Sequence, residues 1–200
     1  MSAKEIRRQY FCVCEGQQEA MYLRHLAGLL KTGKRVVTFK TKTGKPGDVD
    51  KYKYIKYDKA ILFDHDGDDI AFDRAINTCV KAKCSCAYSN RNFDLWLLLH
   101  KQFFASPVNR NDSYVDYVRK AFALESNADI KEKDVIARIL GQISLSDVKM
   151  AMNRAGMMRA QKLQEDAKRI GSIDYYDNPD LYIHEFISSV FAECGESMLS

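Results

Sequence analysis

Four short apolar runs, at 10–14, 35–39, 59–63 and 84–88, alternate with segments of helical periodicity in the first half of this 200-residue chain. Parallel strands need a crossover between them, and a helix is the usual one, so this alternation reads as successive βα units. Right-handed crossovers then leave helices on both faces of the sheet. The fold expected is α/β, a Rossmann-like four-stranded parallel sheet flanked by helices. The first helical segment, 17–30, places Met21, Leu23, Leu26, Leu29 and Leu30 near one stripe and stops at Thr32-Gly33. A short helix over 49–57 is capped by Asp48, and another over 68–83 carries Ile70, Ala71, Ala75, Ile76, Cys79 and Val80. The stretch 40–48, basic and rich in turn residues, reads as a loop.

After the fourth strand, 89–100 turns into an apolar helix containing the sole tryptophan, Trp96. Beyond it the chain reads as helical over 113–123, 131–140 and 145–170, with a last helix opened by Asn178-Pro179. The polar stretch 103–111 marks where alternation ends, dividing an α/β core at 1–104 from a helical extension at 105–200 that packs on it.

Hydrophobic residues at 46% and charged residues at 29% are globular values, which argue against general disorder. The net charge of +4 permits nucleic-acid binding without demanding it. No apolar run reaches the roughly 18 residues of a membrane span, and residues 1–8 hold no apolar signal core. The expected location is the cytoplasm, away from membranes, where the six cysteines stay reduced. Cys12/Cys14 and Cys84/Cys86 have C-x-C spacing, but within strands, where i and i+2 share a face, core packing is preferred to zinc.

The third apolar run feeds Asp64-His65-Asp66-Gly67-Asp68-Asp69, four carboxylates within six positions. Side chains alternate along a strand, so Asp64 and Asp66 emerge on one side of the sheet edge while His65 points away. The first run ends likewise at Glu15-Gly16. Two strands that deliver acid at their C-terminal ends suit a hard divalent cation in an open α/β sheet. Asp68 and Asp69 are better used in capping the following helix. Glu15, by contrast, has no evident structural task, and Gly16 lets a backbone or phosphate approach closely. Glu19, one helical turn after Glu15, either adds a ligand or compensates the helix dipole. His100, ending an apolar helix, reads as a core or capping residue, and His184 as structural.

The ordered set Cys14-Glu15-Gly16-x-x-Glu19-x-x-Tyr22, Phe63-Asp64-x-Asp66, then Ser89-Asn90-x-x-Phe93-Asp94-x-Trp96 resembles the RloB-like family. The Glu-Gly and Asp-x-Asp pieces resemble the Toprim domain of topoisomerases, primases and OLD-type nucleases. The segment from Asn178-Pro179-Asp180 to His184 is similar to the C-terminal motif of the RloB-like family. The resemblance implies a Toprim core in which Glu15, Asp64 and Asp66 bind Mg²⁺ or Mn²⁺. It further implies a nuclease of bacterial defence loci, related to abortive-infection proteins and partnered with an ABC or SMC-like ATPase. Asp94 stands where the family has Glu, one methylene longer, which leaves Asp94 a water-bridged role. A basic residue near the phosphate is also implied, with Arg91 the first choice and Lys131 and Lys133 the alternatives. Lys40, Lys42 and Lys45 fit a phosphate-steering loop or a merely solvated one.

The function expected is phosphodiester hydrolysis on DNA or tRNA, and the long helices offer surface for a homodimer or an ATPase contact. Two other readings stay open. One is a non-catalytic module that binds an ATPase partner or a nucleotide signal. The other, nucleotide or primer synthesis, lacks a Gly-rich triphosphate loop.

Overall fold

The computed structural model describes residues 6–31, 35–106, 113–162, 167–177 and 179–195. Strand β1 (Ile6–Cys14) leads through α1 (Gln17–Leu29) to β2 (Arg35–Thr43), and a 3₁₀ turn (Pro46–Tyr52) leads on to β3 (Asp58–His65). Helix α2 (Asp69–Ala82) then connects to β4 (Ser85–Asn90). All three pairings are parallel, in the order β2-β1-β3-β4, so every strand ends at the same edge. This is the four-stranded Rossmann-like sheet expected from the alternation.

The two faces are filled by the two parities of the strands. Tyr10, Cys12 and Cys14, with Ala60, Leu62 and Ala87, pack under α1 and the later helices. Phe11, Val13, Ile61 and Phe63 pack with Phe72 and Ile76 of α2. Cys12 and Cys14 are thus core residues, while the half-buried Cys84 precedes β4 and donates its thiol to the Cys79 carbonyl.

Six consecutive buried residues form α3 (Asp94–Leu99), including the fully buried Trp96. Burying a large apolar side chain is worth about 1.5–3 kcal/mol. Around α3 the chain adds α4 (Ser113–Ala121), α5 (Lys133–Gly141), α6 (Leu145–Gln161) and α7 (Ile183–Cys194). Their apolar stripes join the same core as α1. Among the described residues no helix is long and apolar enough to cross a membrane.

Five expectations need correction. The helix expected over 49–57 with Asp48 as its cap is the 3₁₀ turn over Pro46–Tyr52, started by Pro46 and capped at Lys45, while Asp48 sits in its first turn and accepts the Lys45 N–H at 3.0 Å. The basic stretch 40–48 is not all loop: β2 runs to Thr43 because its nine residues pair with β1, and Lys40 and Lys42 are exposed on that edge strand. Lysine there is compatible with a sheet edge that must stay unpaired. The helix expected over 89–100 starts only at Asp94, because Ser89 and Asn90 still pair with Asp64 and His65. The long helix expected over 145–170 stops at Gln161. Its last three residues form β5 (Lys168–Ile170), which turns through Gly171, at φ +60, into antiparallel β6 (Ile173–Tyr175). Finally α7 begins at Ile183 and not at Pro179, since the intervening chain is extended against β4, with Leu181 bridged to Ser89. Asn178 lies outside the described residues.

Candidate metal centre

Because β1 and β3 are neighbours, the acids that follow them meet. The Glu15 N–H donates to the Leu62 carbonyl at 2.9 Å, extending the ladder by one residue. The Glu15 carboxylate turns across the edge and accepts from the Asp64 N–H, also at 2.9 Å. His65 takes the opposite face, where its ring packs on Phe72 at 4.6 Å and its Nε2 meets Asp69 at 2.8 Å. Asp66 is exposed beyond the strand. Asp68 caps α2 by accepting from the Ala71 N–H at 3.0 Å.

Helix α1 starts at this edge and brings Glu19 inward. A Cβ on Gly16 would lie 2.8 Å from Glu19 Oε2, so a glycine is what leaves room for that carboxylate. Glu19 is only 4% exposed, and its Oε2 has no hydrogen-bond partner. Asp94, at the start of α3, is 1% exposed with neither carboxylate oxygen hydrogen-bonded. The Gln18 amide lies close enough to favour the Asp94 charge without reaching hydrogen-bond geometry.

These buried acids hold their protons unusually firmly. Burial first, and then the neighbouring Glu15 and Asp94 charges, push Glu19 up to about 7 against the pull of its own and Gly16's backbone. Burial followed by Glu19, Asp66, Glu15 and Asp94 raises Asp64 well above the usual carboxylate range. Asp94 is pushed up to about 6 by burial, with Gln18 and Lys131 opposing. Five carboxylates therefore share one electrostatic environment. Four of them, Glu15, Glu19, Asp64 and Asp66, line a cavity of about 320 Å³ whose wall also includes Asn92 and Lys131.

The basic residues scatter. Lys131 stands on the cavity wall, but Lys133, two residues on, is exposed at the start of α5 and outside it. Lys45 borders a second cavity that Glu15, Asp64 and Asp66 also line. Lys40 turns away, its ammonium 3.2 Å from the Tyr57 hydroxyl. Arg91 sits in the left-handed backbone region at φ +83, with a guanidinium nitrogen 3.5 Å from the Cβ position of Gly67. It borders the acidic loop with its Nε buried and unpaired. Such backbone strain in a non-glycine residue is uncommon and gathers at functional sites. Gln18 and Asn92 are wall residues that sequence reasoning passed over.

Among the described residues, no three His, Cys, Asp or Glu side chains are already drawn together as a cation's ligands. The donor set nevertheless fits one. Hard oxygen donors, mutual repulsion and unpaired buried carboxylate oxygens are what a divalent cation relieves. Glu15, Asp64 and Asp66 would hold it, with Glu19 in reach, once Glu15 shares or leaves the Asp64 amide.

A family model described as RloB-like protein matches residues 10–190. No curated protein and no solved structure matches the chain.

Proposed function

Since the chain belongs to the RloB-like family, we propose that it is a metal-dependent nuclease with a Toprim-like centre, acting in bacterial anti-phage defence under the control of a partner ATPase. The observation that carries this reading is the convergence of Glu15, Glu19, Asp64 and Asp66 on one cavity at the carboxyl edge of the sheet, with Asp94 behind them. Mg²⁺ or Mn²⁺ held there supplies charge neutralisation at the phosphate and a more acidic water. Glu15, Asp64 and Asp66 orient the group, and Lys131 draws the phosphodiester toward the acids by charge. Gln18 and Asn92 offer amide groups to the nucleic-acid backbone. Arg91 and Lys45 add positive charge around the same edge, and Lys133, Lys40 and Lys42 contribute only to the wider field.

The test is cleavage of plasmid, single-stranded DNA and bulk tRNA by the purified chain, alone and with its ATPase, with and without Mg²⁺ or Mn²⁺. Cleavage should require metal and vanish in Asp64→Ala, whose fold stays intact because one of several crowded carboxyl groups has been removed. Cleavage that persists in Asp64→Ala, or in chelator, contradicts the reading.

One observation favours a different role, a non-catalytic module for an ATPase or a nucleotide signal. Glu15 already accepts a backbone N–H, so the acids can rest without metal. Absence of cleavage under every condition, together with ATPase binding, would put that role first.

A further inference from the structure

Glu15, Asp64 and Asp66 form a ridge with a cavity on each side. One is the polar cavity already described. The other, of about 260 Å³, opens toward the 3₁₀ turn and α2, and the same three acids wall it. Its far wall is apolar, made by Pro46, Phe63, Ala71, Phe72 and Ala75, and the exposed Lys45 also borders it. Asp68, which lines it too, is occupied in capping the Ala71 N–H. The wall is fixed in advance: the Phe72 ring stands edge-on to Tyr88 at 5.1 Å and to Tyr175 at 5.4 Å. A wall held in place before binding keeps the cost of ordering it low.

A nucleic-acid strand crossing this ridge presents different chemistry to each side. Its sugar-phosphate backbone suits the wall with Asn92, Gln18 and Lys131. Its bases are its flat, uncharged parts, and they suit an apolar wall beside a cation that meets the adjoining phosphate. The second cavity, at about 260 Å³, has room for one base. A base still stacked and paired cannot enter it.

We propose that this apolar cavity is the subsite for one unpaired nucleobase beside the scissile phosphate, so that the centre acts on single-stranded or locally opened nucleic acid. The inference rests on the reading of the ridge as a nuclease centre.

Ala71 is exposed on the first turn of α2, so a large side chain there fills the cavity from outside the core. The experiment compares the full chain with Ala71→Phe by fluorescence anisotropy. The probes are a single-stranded oligothymidylate and a blunt duplex of the same length, with Ca²⁺ present to prevent cleavage. The wild type should bind the single strand about tenfold more tightly than the duplex, and Ala71→Phe should lose about that factor on the single strand alone. Calorimetric Mn²⁺ binding and the melting midpoint should be unchanged. Equal single-strand affinity in the two proteins, with Mn²⁺ still bound by both, overturns the base subsite and leaves the metal centre standing. A wild type that binds neither Mn²⁺ nor the oligonucleotide removes the metal centre and the subsite together. Should Ala71→Phe melt early, Ala71→Leu carries the same comparison.

Discussion

Glu15 and Asp64 are 49 positions apart in the chain and share a hydrogen bond, because a parallel pair of strands must release its next residues at the same edge. Glu19, one helical turn on, packs its carboxylate into the space that Gly16 leaves open. At the far end of α3 a different buried group is fully used. His100 Nδ1 lies 2.8 Å from the Trp96 carbonyl and must donate to it, so Nε2, 3.1 Å from the Tyr22 hydroxyl, accepts. That fixes a neutral ring, and burial lowers His100 to about 4 despite the nearby Asp147. The unfolded ring titrates near 6.5, so the folded state loses stability as pH falls from about 6.5 toward 4. Chemical denaturation should show about 2 kcal/mol more loss between about pH 7 and pH 5 for the wild type than for His100→Gln. Equal losses would mean that the ring is free to charge. Strand alternation made Glu15, Asp64, Asp66 and the turned-away His65 legible in the sequence. Gln18 and Asn92 were not, since an amide joins a site through its neighbours and leaves no periodic trace.

The element that sequence reading most misjudged is the stretch after α6. Its charged residues continue a helical-looking pattern, and only Gly171 hinted at the β5-β6 turn, where a Cβ would meet Val80 at 3.0 Å. The C-terminal segment matters for a related reason. Asn90 N–H donates to the Asp180 carbonyl at 2.7 Å and Tyr182 N–H to the Tyr88 carbonyl at 2.8 Å, so 180–182 lies along β4 as an added antiparallel partner. The Asn90 amide also donates to the Tyr176 carbonyl. These contacts hold the end of β4, from which Arg91 and Asp94 emerge.

Arg159 of α6 locks this arrangement. It donates to Asp180 at 2.8 Å, to the Tyr88 hydroxyl at 3.0 Å and to the Asp174 carbonyl at 2.8 Å. The Tyr176 and Tyr182 rings lie 5.1 and 5.0 Å from its guanidinium carbon. Asp180 has no solvent exposure, so Arg159→Met should cost about 3–5 kcal/mol by leaving a buried carboxylate without its cation, held only by the Tyr88 hydroxyl and the Tyr176 N–H. Adding Asp180→Leu should recover part of that loss in urea unfolding, and no recovery would contradict the pairing. The motif around Asp180 thus has a structural reason that needs no ligand.

Across the whole molecule, the four parallel strands and their two helical faces followed from alternation alone, whereas the order β2-β1-β3-β4 did not, because alternation leaves the neighbour of each strand open. The way later helices return to the site did not follow. Lys131 reaches the cavity from the turn before α5, more than a hundred residues after Glu15, and no local pattern announces such a contact. The same return encloses Glu19 and Asp94 and gives the acids their raised proton affinity. The centre is therefore a property of sheet edge and helical extension together. Calorimetric titration of the purified chain with Mn²⁺, beside Asp64→Asn, tests it most directly. Saturable binding by the wild type, lost in a variant with an unchanged circular dichroism spectrum, is the predicted result; no binding by either protein, or equal binding by both, would contradict a metal centre built on Glu15, Asp64 and Asp66.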